Sequence, residues 1–274
     1  MATATGTALT AREFQAVSAL MYRVSGVNLT TGKEGLVESR LASRLRALQL
    51  DSFSDYLAHV ERDASRQELT MLVDLLTTNK TSFFREAAHF DYLKREVLPR
   101  LGGRSEAARF WCAGCSSGEE PYSLGMLLTE EFSAPVLAST RILATDLSTR
   151  ILAKAEAAEY DQATVADVDR ARLQRYFEPV EGKTGRRFRV RESVRSMVKV
   201  ARLNLIGPWP MKGPFDVIMC RNVMIYFDAP TQERLVNRFY DLLAPGGSLL
   251  VGHSESLTAL THNFAYVQPA TYIK

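Results

Sequence analysis

The chain has only three cysteines in 274 residues, so they cannot all pair, and it is long enough to bury a core without disulfide bonds. Its 16 glycines and 10 prolines are too few for a linker or a collagen-like protein. No apolar run approaches the ~20 residues that cross a bilayer. We therefore expect a reduced, cytoplasmic protein without membrane insertion.

A large net charge and a targeting signal are also lacking. Lys and Arg number 34 against 31 Asp and Glu, and a net charge of +3 is too small to indicate nucleic-acid binding. Residues 1–6 have no charged segment before an apolar stretch, so they predict a short frayed tail and not a secretory signal. The remaining composition, 46% hydrophobic and 24% charged, is that of a globular protein of one or two domains.

Apolar residues recur at helical spacing from residue 10 to about residue 98. Thr10 is a candidate cap for the first helix. The apolar positions of the first two helices are Phe14, Val17, Leu20 and Met21, then Leu36, Leu41, Leu45 and Leu48. Residues 51–59 and 69–76 continue the pattern, and no strand-like alternation interrupts it. This region predicts a small helical bundle.

A different pattern follows residue 103. Short apolar runs at 108–112, 141–146, 215–220 and 247–251 alternate with helical patterns at 121–128 and 231–243. Buried strands that alternate with helices indicate a parallel sheet covered on both faces. The sequence therefore predicts an α/β domain after the helical bundle.

A basic segment interrupts the α/β pattern. Residues 175–202 contain nine basic and three acidic residues, a local net charge of +6. Three arginines (187, 189 and 191) alternate with Phe188 and Val190, which is the period of a half-buried strand. We predict a hairpin-like insertion here.

The segment from Trp111 to Ser123 predicts a strand, a tight turn and a helix. Gly114 and Gly118 would let the backbone approach a ligand closely. The spacing is not G-x-G-x-x-G, no P-loop is present, and Glu119 and Glu120 would repel a pyrophosphate. The loop favours a nucleoside-like ligand that carries hydroxyls or positive charge. A plain strand-to-helix turn is the alternative.

Asp146 ends the second predicted strand. An acid there commonly accepts hydrogen bonds from ribose hydroxyls, but it could equally cap the next helix.

The cysteines at 112, 115 and 220 have no second pair for zinc, and the helix starts too late for a thioredoxin-type motif, so we predict that they pack in the core. Neither Ser116 nor Ser254 lies in a G-x-S-x-G motif, so a hydrolase is not predicted.

Six segments taken together resemble one family. They are Asn79–Arg85, Ser116–Ser123, Ala144–Asp146, Leu203–Leu205, Cys220–Phe227 and Gly252–Glu255. In this order they resemble the chemotaxis receptor methyltransferases of the CheR type, over residues 10 to 273.

The resemblance implies an all-α receptor-docking domain over residues 1–85. It implies an S-adenosylmethionine-dependent methyltransferase domain, Rossmann-like, over residues 86–274, with a small antiparallel β-subdomain inserted at about 178–202. The implied reaction is methyl transfer to glutamate side chains of chemoreceptor cytoplasmic helices, which forms glutamate 5-O-methyl esters for sensory adaptation. A glutamate with a pKa of ~4.3 is ionised at neutral pH, so no general base is needed.

The resemblance also implies the residues of the site. The cofactor contacts are Asn79, Thr81, Arg85, Glu120, Asp146, Asn204, Leu205, Arg221 and Asn222. Arg85 is a candidate partner for a carboxylate and Tyr226 a candidate contact near the sulfonium, and both are hypotheses for catalytic residues. The division of roles between Glu120 and Asp146 stays open. No metal site is expected.

Arg40 and Arg44 lie one helical turn apart, with Arg46 nearby. The plain interpretation is a solvated basic face, and the resemblance adds the hypothesis that this face docks on acidic receptor helices.

The basic insertion is a candidate site for a receptor C-terminal peptide, and the sequence does not decide whether such a peptide binds. We expect a monomer that binds no nucleic acid.

Four other functions stay as alternatives. The nearest is a methyltransferase that acts on another protein carboxylate or outside chemotaxis, and another is a non-catalytic module that senses S-adenosylmethionine. A nicotinamide-dependent oxidoreductase is disfavoured by the missing G-x-G-x-x-G motif. A nucleic-acid methyltransferase is disfavoured because no Asn/Asp-Pro-Pro-Tyr/Phe motif is present.

Overall fold

The computed structural model describes residues 8–104, 106–182 and 185–274. The chain divides into two compact units. The helical unit contains the chain up to Thr78 together with Tyr226–Asp228, and the sheet unit contains Asn79–Ile225 and Ala229–Lys274. The predicted tail at residues 1–6 and Lys183 of the basic segment lie outside the described residues.

The division lies after Thr78, before the predicted boundary at residues 85 and 86. Two hydrogen bonds hold the intervening segment on the sheet unit. Ser116 Oγ donates to the Asn79 carbonyl at 3.0 Å, and the backbone N–H of Phe84 donates to Ser123 Oγ at 2.9 Å. Residues 79–85 therefore belong with the sheet unit.

The helical unit contains the helices that the apolar spacing predicts. They are α1 (Ala11–Ser25), α2 (Glu34–Leu48), α3 (Phe53–Arg62) and α4 (Gln67–Leu76). Thr10 caps α1 as predicted: its side chain accepts a hydrogen bond from the Glu13 backbone, and the Glu13 carboxylate accepts one from the Thr10 backbone. The predicted core positions of α1, from Phe14 to Met21, are buried.

The sheet unit begins with helical segments and then alternates strands with helices. Its elements are α5 (Ala87–Tyr92), a π-helical turn (Leu93–Val97), α6 (Leu98–Gly102), β1 (Arg109–Ala113), α7 (Glu119–Glu131), α8 (Ala134–Ser139), β2 (Arg141–Asp146), α9 (Thr149–Ala157), β3 (Glu159–Asp161), α10 (Arg170–Tyr176), β4 (Phe177–Gly182), β5 (Gly185–Val190), α11 (Glu192–Arg195), β6 (Val198–Arg202), β7 (Phe215–Cys220), α12 (Ala229–Leu242), β8 (Leu243–Val251), β9 (Ala265–Gln268) and β10 (Thr271–Ile273). A 3₁₀ turn, Met224–Tyr226, follows β7.

The main sheet has seven strands in the order β6-β2-β1-β7-β8-β10-β9. Strands β6, β2, β1, β7 and β8 are parallel, and β10 is antiparallel to both of its neighbours. The carboxyl ends of the parallel strands therefore meet at one edge. The chain runs outward from β1 in both directions, and such a switch point is where open α/β sheets bind ligands. This confirms the predicted α/β fold.

A small antiparallel sheet in the order β3-β5-β4 forms the insertion. Phe188 and Val190 are buried as their alternation predicts. The predicted limits of about 178–202 differ from the strands of this small sheet at both ends. The sheet starts with β3, and β6 pairs in parallel with β2 in the main sheet. The basic residues of β6 misled the sequence interpretation, because an edge strand can carry exposed charge such as Lys199.

Within the described residues, no helix combines the length and the apolar character that crossing a bilayer requires.

Candidate functional site

The turn between β1 and α7 is held against the end of β2. The backbone N–H groups of Gly114 and Cys115 both donate to the Thr145 carbonyl, at 2.8 and 2.9 Å. Gly114, Ser116 and Gly118 have φ of 90°, 50° and 98°, so the chain turns sharply here. The turn is therefore a fixed feature of the edge where the parallel strands end.

The two glycines of this turn are needed for packing as well as for backbone conformation. A Cβ on Gly114 would lie 2.3 Å from Val223 Cγ2, and one on Gly118 would lie 2.9 Å from Tyr160 Oη. Side chains of the protein thus fill the space that the missing Cβ atoms leave. In the direction of the missing Cβ atoms, glycine is therefore required by the packing of Val223 and Tyr160 and not by a ligand.

Asp146 faces the same turn from the end of β2. Its carboxylate accepts hydrogen bonds from the backbone N–H groups of Ser116 at 2.9 Å and Ser148 at 3.0 Å. The N-cap of α9 is Ser148, whose side chain accepts from the Ile151 backbone, and Asp146 holds the backbone of this cap residue. The half-buried Asp146 carboxylate is therefore held in one orientation at the sheet edge.

Arg221 follows β7 and joins four predicted or neighbouring residues in one network. Its side chain is only 1% exposed. The guanidinium donates to Glu120 at 2.9 Å, to Glu86 at 3.1 Å and to the Arg85 carbonyl. Asn222 Nδ2 donates to Glu86 at 3.3 Å. The structure thus brings Arg85, Glu120, Arg221 and Asn222 together.

The two carboxylates that share Arg221 respond differently to their surroundings. Burial raises the pKa of Glu120, although Arg221 opposes this. Burial also opposes ionisation of Glu86, but Arg221 and the His253 backbone N–H together outweigh it and lower the pKa of Glu86. Glu86 is therefore the firmly ionised partner of the guanidinium.

Asn222 owes its position to a buried carboxylate. Its φ of 59° is in the left-handed region. Glu255 accepts hydrogen bonds from the backbone N–H groups of Gly252 at 2.6 Å, Asn222 at 2.8 Å and Ile225 at 3.1 Å. This carboxylate joins the segments after β7 and β8.

The remaining predicted contacts are less closely connected. Asn79 is tied to Ser116 through its carbonyl, and Thr81 is half-buried. Asn204 Oδ1 accepts from the Ile206 backbone at 3.2 Å, and Leu205 is buried. Leu203 donates its backbone N–H to the Asp146 carbonyl at 3.0 Å, which places this segment at the same sheet edge.

Tyr226 belongs to the helical unit, where its carbonyl accepts a hydrogen bond from the Asn28 backbone at 2.8 Å. Tyr226 and Arg221 are thus assigned to different units. The proposed catalytic role of Tyr226 stays a prediction.

The three cysteine thiols are buried, and burial raises the pKa of each well above its ordinary value. Neutral thiols of this kind are poor nucleophiles. They pack in the core, as predicted.

Two of the three predicted docking arginines are already used inside the helical unit. Arg40 donates to the carbonyls at the end of α4, including Thr77 at 2.9 Å. Arg44 forms two hydrogen bonds with Glu68, one of them at 2.7 Å. Both side chains are half-buried and contribute to the contact between α2 and α4, so the face that they share is only partly solvated. Arg46 is exposed.

Sequence reasoning missed Glu86, His89, His253 and Glu255 as site residues. Glu86 directly follows Arg85, and His253 and Glu255 lie in the Gly252–Glu255 segment. Two of the four residues therefore lie within a recognised segment, and Glu86 and His89 follow the end of one. The roles of Glu86 and Glu255 depend on contacts with other segments, such as Arg221 with Glu86, which spacing does not reveal.

The residues at the sheet edge fit a nucleoside cofactor with a cationic centre. Asp146 presents an oriented carboxylate, which suits ribose hydroxyls. Two acidic residues, Glu119 and Glu120, occupy the first turn of α7. A helix N-terminus that binds a phosphate group does not carry acidic residues there, because they would repel the phosphate. The donor set therefore suits S-adenosylmethionine better than a dinucleotide.

Comparisons with known proteins agree over almost the whole chain. Residues 12–77 match the family model described as CheR methyltransferase, all-alpha domain, and residues 79–273 match the one described as CheR methyltransferase, SAM binding domain.

Curated relatives match at similar length. The chain is 40% identical over 252 residues to the chemotaxis protein methyltransferase of Klebsiella aerogenes, covering 92% of this chain and 85% of that protein. It is 36% identical over 273 residues to that of Borreliella burgdorferi, covering 97% and 95%. It is 39% identical over 259 residues to that of Escherichia coli, covering 94% and 88%.

Proposed function

This chain belongs to the CheR methyltransferase family, and from that premise we propose that it methylates glutamate side chains on the cytoplasmic helices of chemoreceptors. S-adenosylmethionine is its cofactor, so the chain is an S-adenosylmethionine-dependent methyltransferase. The proposed product is a glutamate 5-O-methyl ester, and the process it serves is sensory adaptation. The acceptor helices are cytoplasmic, and we infer the same compartment for the enzyme.

One observation favours a carboxylate as the acceptor. Among the described residues, the carboxylates of Glu86 and Glu120 are paired with Arg221, and those of Asp146 and Glu255 accept backbone hydrogen bonds. Each of these carboxylates already has a hydrogen-bond partner in the protein, so we infer that none of them acts as a general base. A glutamate acceptor is already ionised at neutral pH and needs none.

The reaction then depends on positioning. The cofactor supplies an activated methyl group when it is bound. We infer that Asp146 accepts hydrogen bonds from the ribose hydroxyls, and that Glu120 and Asn222 contact the same molecule from the network around Arg221. Asn79, Thr81, Asn204 and Leu205 remain the other proposed contacts. Holding acceptor and donor in line supplies catalysis by proximity and orientation.

Arg85 and Tyr226 are the proposed catalytic residues. The half-buried Arg85 side chain donates to the Lys80 carbonyl at 2.9 Å, so its guanidinium lies outside the Arg221 network. We infer that it pairs with a carboxylate of the substrate or the cofactor. Tyr226 would contact the sulfonium through its ring face or hydroxyl.

The partner is proposed to be the receptor helix itself, and we expect the enzyme to act as a monomer. The small sheet is a second candidate contact, since β3 and β4 are edge strands that could pair with a receptor C-terminal peptide. Some of its positive charge is neutralised locally, because Arg189 pairs with Glu159. Peptide binding at this sheet stays a prediction.

The test uses S-adenosylmethionine with a labelled methyl group, this protein and a chemoreceptor cytoplasmic fragment. We expect protein-bound label that mild base releases as methanol, because a carboxyl methyl ester is base-labile. The control is a receptor fragment whose methyl-accepting glutamates are replaced by alanine, and it should take up no label.

Other outcomes distinguish the alternatives. Stable label would indicate an amine or thiol acceptor and contradict glutamate methylation. Cofactor binding without transfer to any receptor fragment would favour a sensing module. Base-labile label on a different protein would favour a carboxyl methyltransferase outside chemotaxis.

A further inference from the structure

Three side chains of the sheet unit converge beside the Arg221 network. Glu86 precedes α5, His89 lies within α5 and His253 follows β8. One potential ligand atom of each lies within 4.8 Å of the others. Glu86 Oε2 is 3.4 Å from His89 Nδ1 and 4.0 Å from His253 Nε2. We call these residues the Glu86 cluster.

His89 is the unusual member of the Glu86 cluster. Its side chain is fully buried. Neither ring nitrogen makes a hydrogen bond of ordinary geometry among the described residues, where the Ala270 backbone is a weaker neighbour of the ring, whereas buried polar groups almost always have such a bond. An imidazole nitrogen that has no such partner in the protein is a candidate metal ligand.

The distances match those of a small metal ion. Zinc binds histidine nitrogen and carboxylate oxygen at ~2.0–2.1 Å in tetrahedral geometry, which separates the ligand atoms by roughly 3.3–3.4 Å. The Glu86–His89 separation already has this value, and the exposed His253 can close the remaining distance by rotating its side chain. The exposed side of His253 leaves the fourth position open to water.

The local charge also favours a cation. Glu86 and Glu120 share a single guanidinium, so the network holds two carboxyl groups for one arginine. Arg221 opposes a nearby cation, and two carboxylates offset that opposition.

We propose that Glu86, His89 and His253 bind one divalent transition-metal ion, with zinc as the best match to two imidazoles and one carboxylate. A water molecule would complete the coordination. The three buried cysteines are not part of this site. The proposal concerns binding of the metal alone and does not depend on the identity of the methylated substrate.

The test is isothermal titration of tag-free, EDTA-treated full-length protein with zinc chloride, without added cofactor. We expect one equivalent to bind. His253→Ala should weaken binding by about tenfold or more, since losing an outer partner of a metal ligand already costs 10–100-fold. His59→Ala is the matched control, because His59 is exposed on α3 of the helical unit, and it should bind zinc as the unchanged protein does.

A second probe guards against a folding defect. Cobalt(II) in a tetrahedral site of this kind gives visible absorption bands, which should develop at one equivalent and be lost in His89→Gln. Far-UV circular dichroism should show that His89→Gln is folded. The proposal is overturned if the unchanged protein takes up no zinc, or if His253→Ala binds it with the original affinity.

Discussion

Arg221 donates hydrogen bonds to two carboxylates and a backbone carbonyl while its side chain is almost fully buried. A planar guanidinium can serve such divergent acceptors at once, whereas a lysine ammonium could not hold the same geometry. Arg221 therefore holds Glu86, Glu120 and the Arg85 backbone in place. The more exposed Arg85 guanidinium is the better candidate to meet a substrate carboxylate.

The roles proposed for Arg85 and Tyr226 predict separate kinetic losses. Arg85→Ala should lower kcat/KM by roughly 10- to 100-fold, because a charge-assisted hydrogen bond contributes about 1.5–3 kcal/mol. Tyr226→Phe should lower kcat by about tenfold or less if its hydroxyl contributes an ordinary hydrogen bond. Initial rates with a receptor fragment measure both, and calorimetry gives the affinity for S-adenosylmethionine.

Two matched controls accompany these variants. Arg95 and Tyr266 are exposed in the sheet unit, so Arg95→Ala and Tyr266→Phe should leave the rates unchanged. Full turnover in Arg85→Ala or Tyr226→Phe, with normal cofactor affinity, would remove that residue from the catalytic assignment.

Helices α2 and α4 are joined by a partly buried ion pair. Arg44 contacts Glu68, whose side chain is 6% exposed and also accepts from Tyr56 Oη at 2.9 Å. Arg44→Met should reduce the free energy of unfolding by about 2 kcal/mol at pH 7, because hydrogen bonds to charged groups contribute ~1.5–3 kcal/mol. Urea unfolding followed by circular dichroism measures this, with the exposed Arg46→Met as control.

The same ion pair predicts how the loss depends on pH. The hydrogen bond from Arg44 lowers the pKa of Glu68 below its ordinary value of 4.5, against the effect of burial. Its stabilisation is present above pH 4.5 and is lost as the pH falls through the lower folded pKa. The difference between Arg44→Met and the unchanged protein should therefore be larger at pH 7 than at pH 3. Equal differences at both pH values would contradict the ion-pair explanation.

At the scale of elements, the sequence predicts those features that depend on local pattern. The apolar spacing of α1 and the alternation of Phe188 and Val190 are local, and both predictions are confirmed. The hydrogen-bond partner of Arg44 and the sheet to which β6 belongs both depend on pairing with distant segments. Spacing along one helix shows that Arg40 and Arg44 share a face, but not that α4 already occupies it.

The candidate site shows the same difference between features that depend on local pattern and features that depend on distant contacts. The recognised segments contain Glu120, Arg221 and Asn222, which the structure brings together. Glu255 lies within the last of these segments and Glu86 directly follows the first, and the contributions of both arise only when distant strand ends meet. Residue type and spacing could not distinguish a carboxylate that contacts a ligand from one that holds the backbone.

At the scale of the whole molecule, the two units predict a separation of tasks. Apart from Tyr226, the residues proposed to contact the cofactor lie in the sheet unit, whereas Arg46 lies in the helical unit. Arg46 is exposed, so it is more available to an acidic receptor helix than Arg40 and Arg44, which contact α4. Charge complementarity of this kind chiefly raises the rate of association.

Reversing the charge of Arg46 should therefore change receptor recognition and leave cofactor binding intact. We expect Arg46→Glu to lower kcat/KM for the receptor fragment several-fold at low salt, with an unchanged affinity for S-adenosylmethionine. The loss should shrink at about 0.5 M salt, because screening then acts within a few ångströms. Arg62→Glu, an exposed change on α3, is the control for net charge. An equal loss in both variants would mean that overall charge, and not a docking face on α2, governs the encounter.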